Sequence, residues 1–173
     1  KQEILTTIDT TNDTIQDLLF LSKVGSRNQN IELLSLTGLL QNIAELTTTL
    51  GEDNELRVTM DIQEGIQFKA DKKLLQRALS NIAHNAVSYN RPKGTINLSL
   101  KKQQHKIIIS ISDTGLGGKK SDQAKLFTRF FRGENAEGKG SGLGLAITEA
   151  VVEDLGGRIK FKSKANQGSV VTI

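Results

Sequence analysis

NIAHNAVSYN, residues 81–90, places two asparagines one helical turn apart with one of the chain's two histidines between them. The stretch closes a longer segment in which Leu75, Leu79, Ile82 and Ala86 recur at helical spacing. That period predicts an amphipathic helix with Asp71 as its N-cap, running to about Tyr89 and closed by Pro92 and Gly94. Asn81, Asn85, Ser88 and Tyr89 fall on a second stripe of the same helix. Asparagine is a poor helix former because its short amide competes for backbone groups. The stripe has two readings. It is either a pair of solvated amides on an outer face or a set of neutral, hard oxygen donors. Such donors suit a magnesium ion held mainly by water and phosphate. His84 falls on the exposed shoulder, with no carboxylate three or four residues away to orient it. It reads as a surface histidine, and His105 as a turn residue.

Composition narrows the classes around this helix. A chain of 173 residues can bury one good core with a small element attached. Its 36% apolar and 24% charged residues are those of an ordinary globular protein. A net charge of +4 does not call for nucleic acid, and six Phe, one Tyr and no Trp argue against a base-stacking platform. The absence of cysteine removes disulfides and thiolate metal sites, and two histidines cannot build a histidine-rich zinc site. No stretch approaches the roughly 20 apolar residues that span a bilayer. KQEILTTIDT at the start does not read as a signal peptide. The chain begins mid-pattern and ends in the apolar alternation GSVVTI, so it reads as a piece of something longer.

Along the chain, Ile4, Ile8, Thr11, Ile15, Leu18 and Ser22 form a heptad seam, widened by Leu5 and Leu19 to the face of a bundle helix. GSRNQN (25–30) reads as a linker, and a second helix is expected over 36–50, stopped by Gly51. RVTMDI (57–62) and IQFKA (66–70) look like a strand pair around the Glu64-Gly65 turn. TINLSLKK and HKIIISIS predict a hairpin joined near Gln103-Gln104. A long glycine- and charge-rich stretch follows from Thr114 to Lys139, with one short helical piece around 123–131. Loops of that length in compact domains serve as lids or are disordered. A helix is expected over 143–155, ended by Gly156-Gly157. Two strands, RIKFKSK and GSVVTI, complete the pattern. The alternating Arg158, Lys160 and Lys162 read as a solvated sheet face.

Two glycine clusters flank the long loop: DTGLGG at 113–118 and GKGSGLGLAI at 138–147. The second opens a helix, so its backbone N–H groups lie at the positive end of a macrodipole, which suits an anion. A glycine turn that merely caps a helix accounts for it equally well. GENAEGK (133–139) imitates a P-loop, but Gly140 stands where the magnesium-binding hydroxyl belongs and no buried strand precedes it. No GxGxxG follows a strand either.

Taken in order, these segments resemble the catalytic, ATP-binding domain of sensor histidine kinases, in the GHKL ATPase superfamily. NIAHNAVSYN resembles the N box, DTGLG the first glycine box, LFTRFFRG the F box and GSGLGLAI the second glycine box. DLLFLSK, within residues 1–27, looks like the second helix of the dimerisation and phosphoacceptor hairpin. Residues 28–173 would then form the catalytic domain.

The resemblance implies a two-layer α/β sandwich of the Bergerat type. A mixed sheet of about five strands would be backed by three helices and preceded by a bundle helix. It implies ATP and Mg2+ as cofactors. Asn85 would ligate the ion, with Asn81 one turn earlier near the phosphates. Asp113 would accept the adenine 6-amino group, and Tyr89 would pack near the purine. Gly115 and Gly117 would let the backbone approach the nucleotide. Gly140, Ser141, Gly142, Leu143 and Gly144 would cradle the phosphates. Arg132 would reach the γ-phosphate, and Phe127, Phe130 and Phe131 would anchor a lid.

The family often has a lysine where Ser88 stands, so that phosphate contact is either missing or supplied by Arg91 or Lys93. Gly118 replaces the usual aliphatic residue after DTGLG and would loosen the start of the lid. No phosphoacceptor histidine motif occurs in the 173 residues. The implied activity is transfer of the ATP γ-phosphoryl group to a histidine on the missing hairpin, for relay to a response-regulator aspartate. The implied partners are a second subunit, joined through the hairpin, and a response regulator, with no nucleic acid and no membrane contact. The implied location is the cytoplasmic side of a membrane-anchored bacterial sensor. An anti-sigma-type serine kinase and a non-catalytic ATP-sensing module share the same scaffold.

Overall fold

Two capped helices and a run of alternating strands set the architecture of the computed structural model, which describes residues 2–26, 29–118, 123, 125–131 and 141–173. Helix α1 (Gln2–Lys23) leads into strand β1 (Ile31–Ser35) and helix α2 (Leu36–Gly51). Strands β2 (Arg57–Ile62) and β3 (Gln67–Asp71) precede helix α3 (Lys72–Ser88). Strands β4 (Thr95–Gln103) and β5 (Lys106–Asp113) form the expected hairpin. Helix α4 (Gly144–Asp154) and strands β6 (Lys160–Lys164) and β7 (Gly168–Thr172) complete the chain. Ser35 caps α2 by accepting the Gly38 N–H at 3.2 Å. Asp71 caps α3 through one oxygen that accepts the Lys73 and Leu74 N–H groups at 2.9 and 3.2 Å. Each cap satisfies N–H groups that a helix start leaves unpaired.

Five strands form one mixed sheet in the order β2-β4-β5-β7-β6, with β2 and β4 parallel and the other pairs antiparallel. Alternation along β4 decides its faces: Ile96, Leu98 and Leu100 are buried, while Thr95, Asn97 and Ser99 are less so. The buried face carries α2 and α3, which contribute Leu36, Leu40, Ile43, Leu75, Leu79 and Ile82 to the main core. Helix α4 lies beside α3 over a second cluster of Leu74, Ala78, Leu143, Ile147 and Val151. The expected five-stranded sandwich backed by three helices is therefore the observed fold.

Three local expectations change. β2 and β3 are not a hairpin, although the turn at Gly65 is real, with φ +75°. β2 pairs in parallel with β4, whereas β3 pairs antiparallel with β1 in a separate two-stranded sheet. A parallel pair needs a long crossover, and β3 with α3 supplies it. Strand β1 itself was not anticipated. It is five residues long and pairs with β3 alone. The helical piece expected around 123–131 reduces, among its described residues, to Gln123 followed by turns.

Helix α1 docks on the second cluster through Phe20, Leu21 and Val24. Ile15, Leu18 and Leu19 of the heptad face stay exposed, at 50%, 45% and 51%. No helix of the described residues is long and apolar enough to cross a membrane.

Candidate nucleotide site

Helix α3 brings the two glycine boxes together. At its middle, Asn81 donates from Nδ2 to the Gly144 carbonyl at 3.0 Å, so the second box rests on the asparagine stripe. At its end, the Tyr89 carbonyl accepts the Leu116 N–H at 2.9 Å, so the first box rests on the helix C-terminus. Asn85 lies between these anchors, half-buried, and its side chain has no hydrogen bond among the described residues. The helix thus commits one asparagine to structure and leaves the next available to a ligand. His84 is exposed, with Nδ1 3.3 Å from the Ser88 hydroxyl.

Close packing explains the glycines of the first box. A Cβ on Gly115 would stand 2.1 Å from the Tyr89 carbonyl oxygen, and one on Gly117, at φ +61°, 2.1 Å from that of Lys164. The sequence reading missed Gly168, whose Cβ would lie 1.9 Å from the Asp113 carbonyl oxygen. Its signal was a glycine between Gln167 and an apolar alternation, which any hairpin turn could also supply. Gly118 is tied down: its N–H donates to Ser163 Oγ at 2.7 Å, and Gln123 Nε2 donates to the Ser163 carbonyl at 2.8 Å. The start of the long loop is clamped to the β6–β7 hairpin, contrary to the loosening expected from Gly118.

Asp113 ends β5 inside this packing. Its Oδ1 accepts the Gly115 N–H at 2.8 Å. Burial pushes its carboxyl above the ordinary value of 3.8, against a smaller downward pull from the Gly115 and Ser169 backbone donors. The carboxylate is costly to ionise in isolation, and a further hydrogen-bond donor from a ligand would stabilise it.

In the second box, Gly142 adopts φ +71° with Phe130 against its α-carbon side, and its carbonyl accepts the Phe130 N–H at 3.0 Å. Leu143 is fully buried and plugs the α3–α4 cluster, so its side chain is structural. Gly144 leaves ordinary van der Waals room for Asn81. Of the lid aromatics, Phe127 and Phe131 are half-buried, while Phe130 is 59% exposed and anchors through its backbone. Arg132 and Gly140 lie outside the described residues. Tyr89 is 40% exposed beside the first box. Lys93 faces Glu55 at 3.8 Å.

Two residues beyond the sequence reading enter the site's edge. Arg77, one turn before Asn81, pairs with Asp17 of α1 at 2.5 Å, and Asp17 also accepts the Ser141 hydroxyl at 2.6 Å. Asp17 sits within DLLFLSK, where a buried acid was not legible from spacing. Among the described residues no cluster of three or more His, Cys, Asp or Glu could hold a metal ion. An ion here would have one hard amide oxygen from the protein, which fits magnesium carried by phosphates and water.

This fold and these boxes define an ATPase-type nucleotide-binding domain. The chain belongs to the "Histidine kinase-, DNA gyrase B-, and HSP90-like ATPase" family, whose profile matches residues 70–173. Within it the chain is an ATP-binding catalytic domain of the sensor histidine kinase kind. It is 32% identical over 169 residues to the circadian input-output histidine kinase CikA of Synechococcus elongatus, a match covering 93% of this chain and 22% of that protein. The mycobacterial sensor histidine kinase MprB superposes with a TM-score of 0.74 at 25% identity, over 82% of this chain and 95% of that one. Full-length ShkA in complex with AMPPNP shares the fold, with a TM-score of 0.80 at 23% identity over 99% of this chain and 38% of that one. The chain spans about a fifth of the length of CikA.

Proposed function

We propose that this chain binds Mg-ATP between α3 and the two glycine boxes and delivers its γ-phosphoryl group to a histidine of a helical hairpin. One observation carries the reading: a single helix anchors both boxes, Gly144 through Asn81 and Leu116 through Tyr89, and leaves Asn85 open between them. Asp113 accepts the adenine amino group, which selects the base. The backbone N–H groups of the second box face the phosphates at the start of α4, where the helix dipole favours anions. Asn85 supplies the amide oxygen for magnesium, which when bound neutralises phosphate charge. Arg132 and Gly140 add to the phosphate contacts in this reading.

Such a site works by positioning and charge neutralisation rather than by covalent chemistry on the protein. The bond between the β,γ-bridging oxygen and the γ-phosphorus breaks, a phosphorus–nitrogen bond forms on the acceptor imidazole, and ADP leaves. The acceptor belongs to a hairpin of which residues 1–27 form part of the second helix, with residues 28–173 as the catalytic domain. Through that hairpin the parent protein dimerises, and it passes the phosphoryl group to a response-regulator aspartate. We place the domain on the cytoplasmic side of a membrane-anchored bacterial sensor. Incubation of the chain with labelled ATP should leave it unlabelled. Addition of its hairpin in trans should yield acid-labile, base-stable phosphate on the hairpin. Acid-stable serine phosphate on a partner, or label on His84 or His105, would overturn the reading.

A further inference from the structure

We infer that Ser163 of β6, outside both glycine boxes, is a positioning residue for the nucleotide: its hydroxyl holds the end of the first box and so fixes the base end of the site. This role rests on the nucleotide reading above and adds a residue to it. Strand register sets Ser163 in one row with Asp113. Asp113 of β5 lies opposite Ser169 of β7, and Ser169 lies opposite Ser163 of β6. Directly opposed residues share a face, so the three polar side chains stand on the side of the sheet that buries Ile111 and Val171. The row runs from the proposed base-selecting carboxylate to the start of the long loop.

The Ser163 hydroxyl is fully committed. Its oxygen accepts the Gly118 N–H at 2.7 Å, and its proton goes to the Gly168 carbonyl at 3.2 Å. The Ser169 hydroxyl lies 3.1 Å away and donates to the remaining lone pair. One donor and two acceptor positions are all that a hydroxyl has. Gly168 packs against the Asp113 carbonyl, so this one hydroxyl grips both the end of the box and the residue behind Asp113.

Among the described residues, 116–118 meet the β6–β7 hairpin at successive points. The Leu116 carbonyl accepts the Asn166 N–H at 2.7 Å, Gly117 packs on the Lys164 carbonyl, and Gly118 bonds to Ser163. The contacts of Leu116 and Gly117 use the hairpin's backbone, whereas that of Gly118 uses a side chain. Gly118 has no means of holding itself. A Cβ there would meet nothing nearer than Ser163 Oγ, at 3.8 Å, and glycine has the greatest backbone freedom. Without the hydroxyl its half-buried N–H loses its acceptor. The Ser163 carbonyl adds a second hold on the loop by accepting Gln123 Nε2 at 2.8 Å. A segment fixed before binding spares the nucleotide the entropy of ordering it, so the hydroxyl acts on affinity as well as on stability.

Calorimetry with Mg-AMPPNP separates this role from a purely structural one. Ser163→Ala should bind about tenfold more weakly than the wild type. By NMR its Gly118 amide should exchange hydrogen faster in the absence of nucleotide. Ser163→Thr, which keeps the hydroxyl and suits a strand, should restore both. Wild-type affinity in folded Ser163→Ala would overturn the proposal. Equal weakening in both folded variants would overturn it as well, because the hydroxyl would then not be the cause. Should Ser163→Ala fail to fold, Ser163→Cys decides, since a thiol has a similar shape but is a weak acceptor. Weaker binding by that variant supports the role, and wild-type affinity overturns it. Failure of the wild-type chain to bind Mg-AMPPNP at all would instead overturn the site reading on which the role rests.

Discussion

Asn81 and Asn85 carry the same amide, one turn apart, and the fold gives them different work. Asn81 is spent on the Gly144 carbonyl, while the Asn85 side chain has no hydrogen bond among the described residues. Spacing alone left both as either ligands or solvated amides, because a helical wheel cannot say which carbonyl lies opposite. Asp113 was legible as a site residue only through the motif it belongs to. Its burial adds a pH signature. A carboxyl raised in the folded state above 3.8 binds protons more readily there than in the unfolded chain. Between 3.8 and the raised value the native state therefore holds the extra proton, and stability falls as pH rises through that window. Thermal unfolding of Asp113→Asn and wild type across pH should show the wild type losing stability relative to the variant as pH rises. A constant difference would mean that Asp113 is not costly to ionise in the native state.

At the scale of elements, the parts written in local periodicity were legible and the parts written in long-range pairing were not. The caps and apolar stripes of α2 and α3 are intrinsic to their sequences, as is the β4–β5 hairpin. β2 differs. RVTMDI looks ready to pair with the next strand, yet its partner is β4, with Arg57 opposite Thr95 and an entire helix between them in the chain. β1 escaped notice because its five residues alternate too briefly to be distinguished from linker. Asp71 shows how much one local signal can hold. Besides capping α3, its second oxygen accepts the Asn30 N–H at 2.9 Å and fixes the entry to β1. Asp71→Ala should cost about 1 kcal/mol from the lost cap. In urea denaturation this would appear as a lower midpoint at an unchanged slope. An unaltered midpoint would show that none of the three bonds to Asp71 matters to stability.

Across the whole molecule, the docking of α1 places a charged residue from outside the α/β sandwich at the rim of the nucleotide site. The sequence pointed to α1 as a bundle helix through its heptad face. Ile15, Leu18 and Leu19 of that face are exposed, while Asp17, Phe20, Leu21 and Val24 meet the domain. A helix that carries two faces can answer to two partners. Both boxes, their shared helix and the clamped start of the long loop support one proposal, that ATP sits against Asn85 and Asp113. Isothermal titration of Mg-AMPPNP into the wild-type chain, Asn85→Ala and Asp113→Ala tests it most directly. The account predicts saturable binding at one site in the wild type and none detectable in either variant, with all three melting cooperatively. Equal binding by all three folded proteins, or none by the wild type, would contradict it.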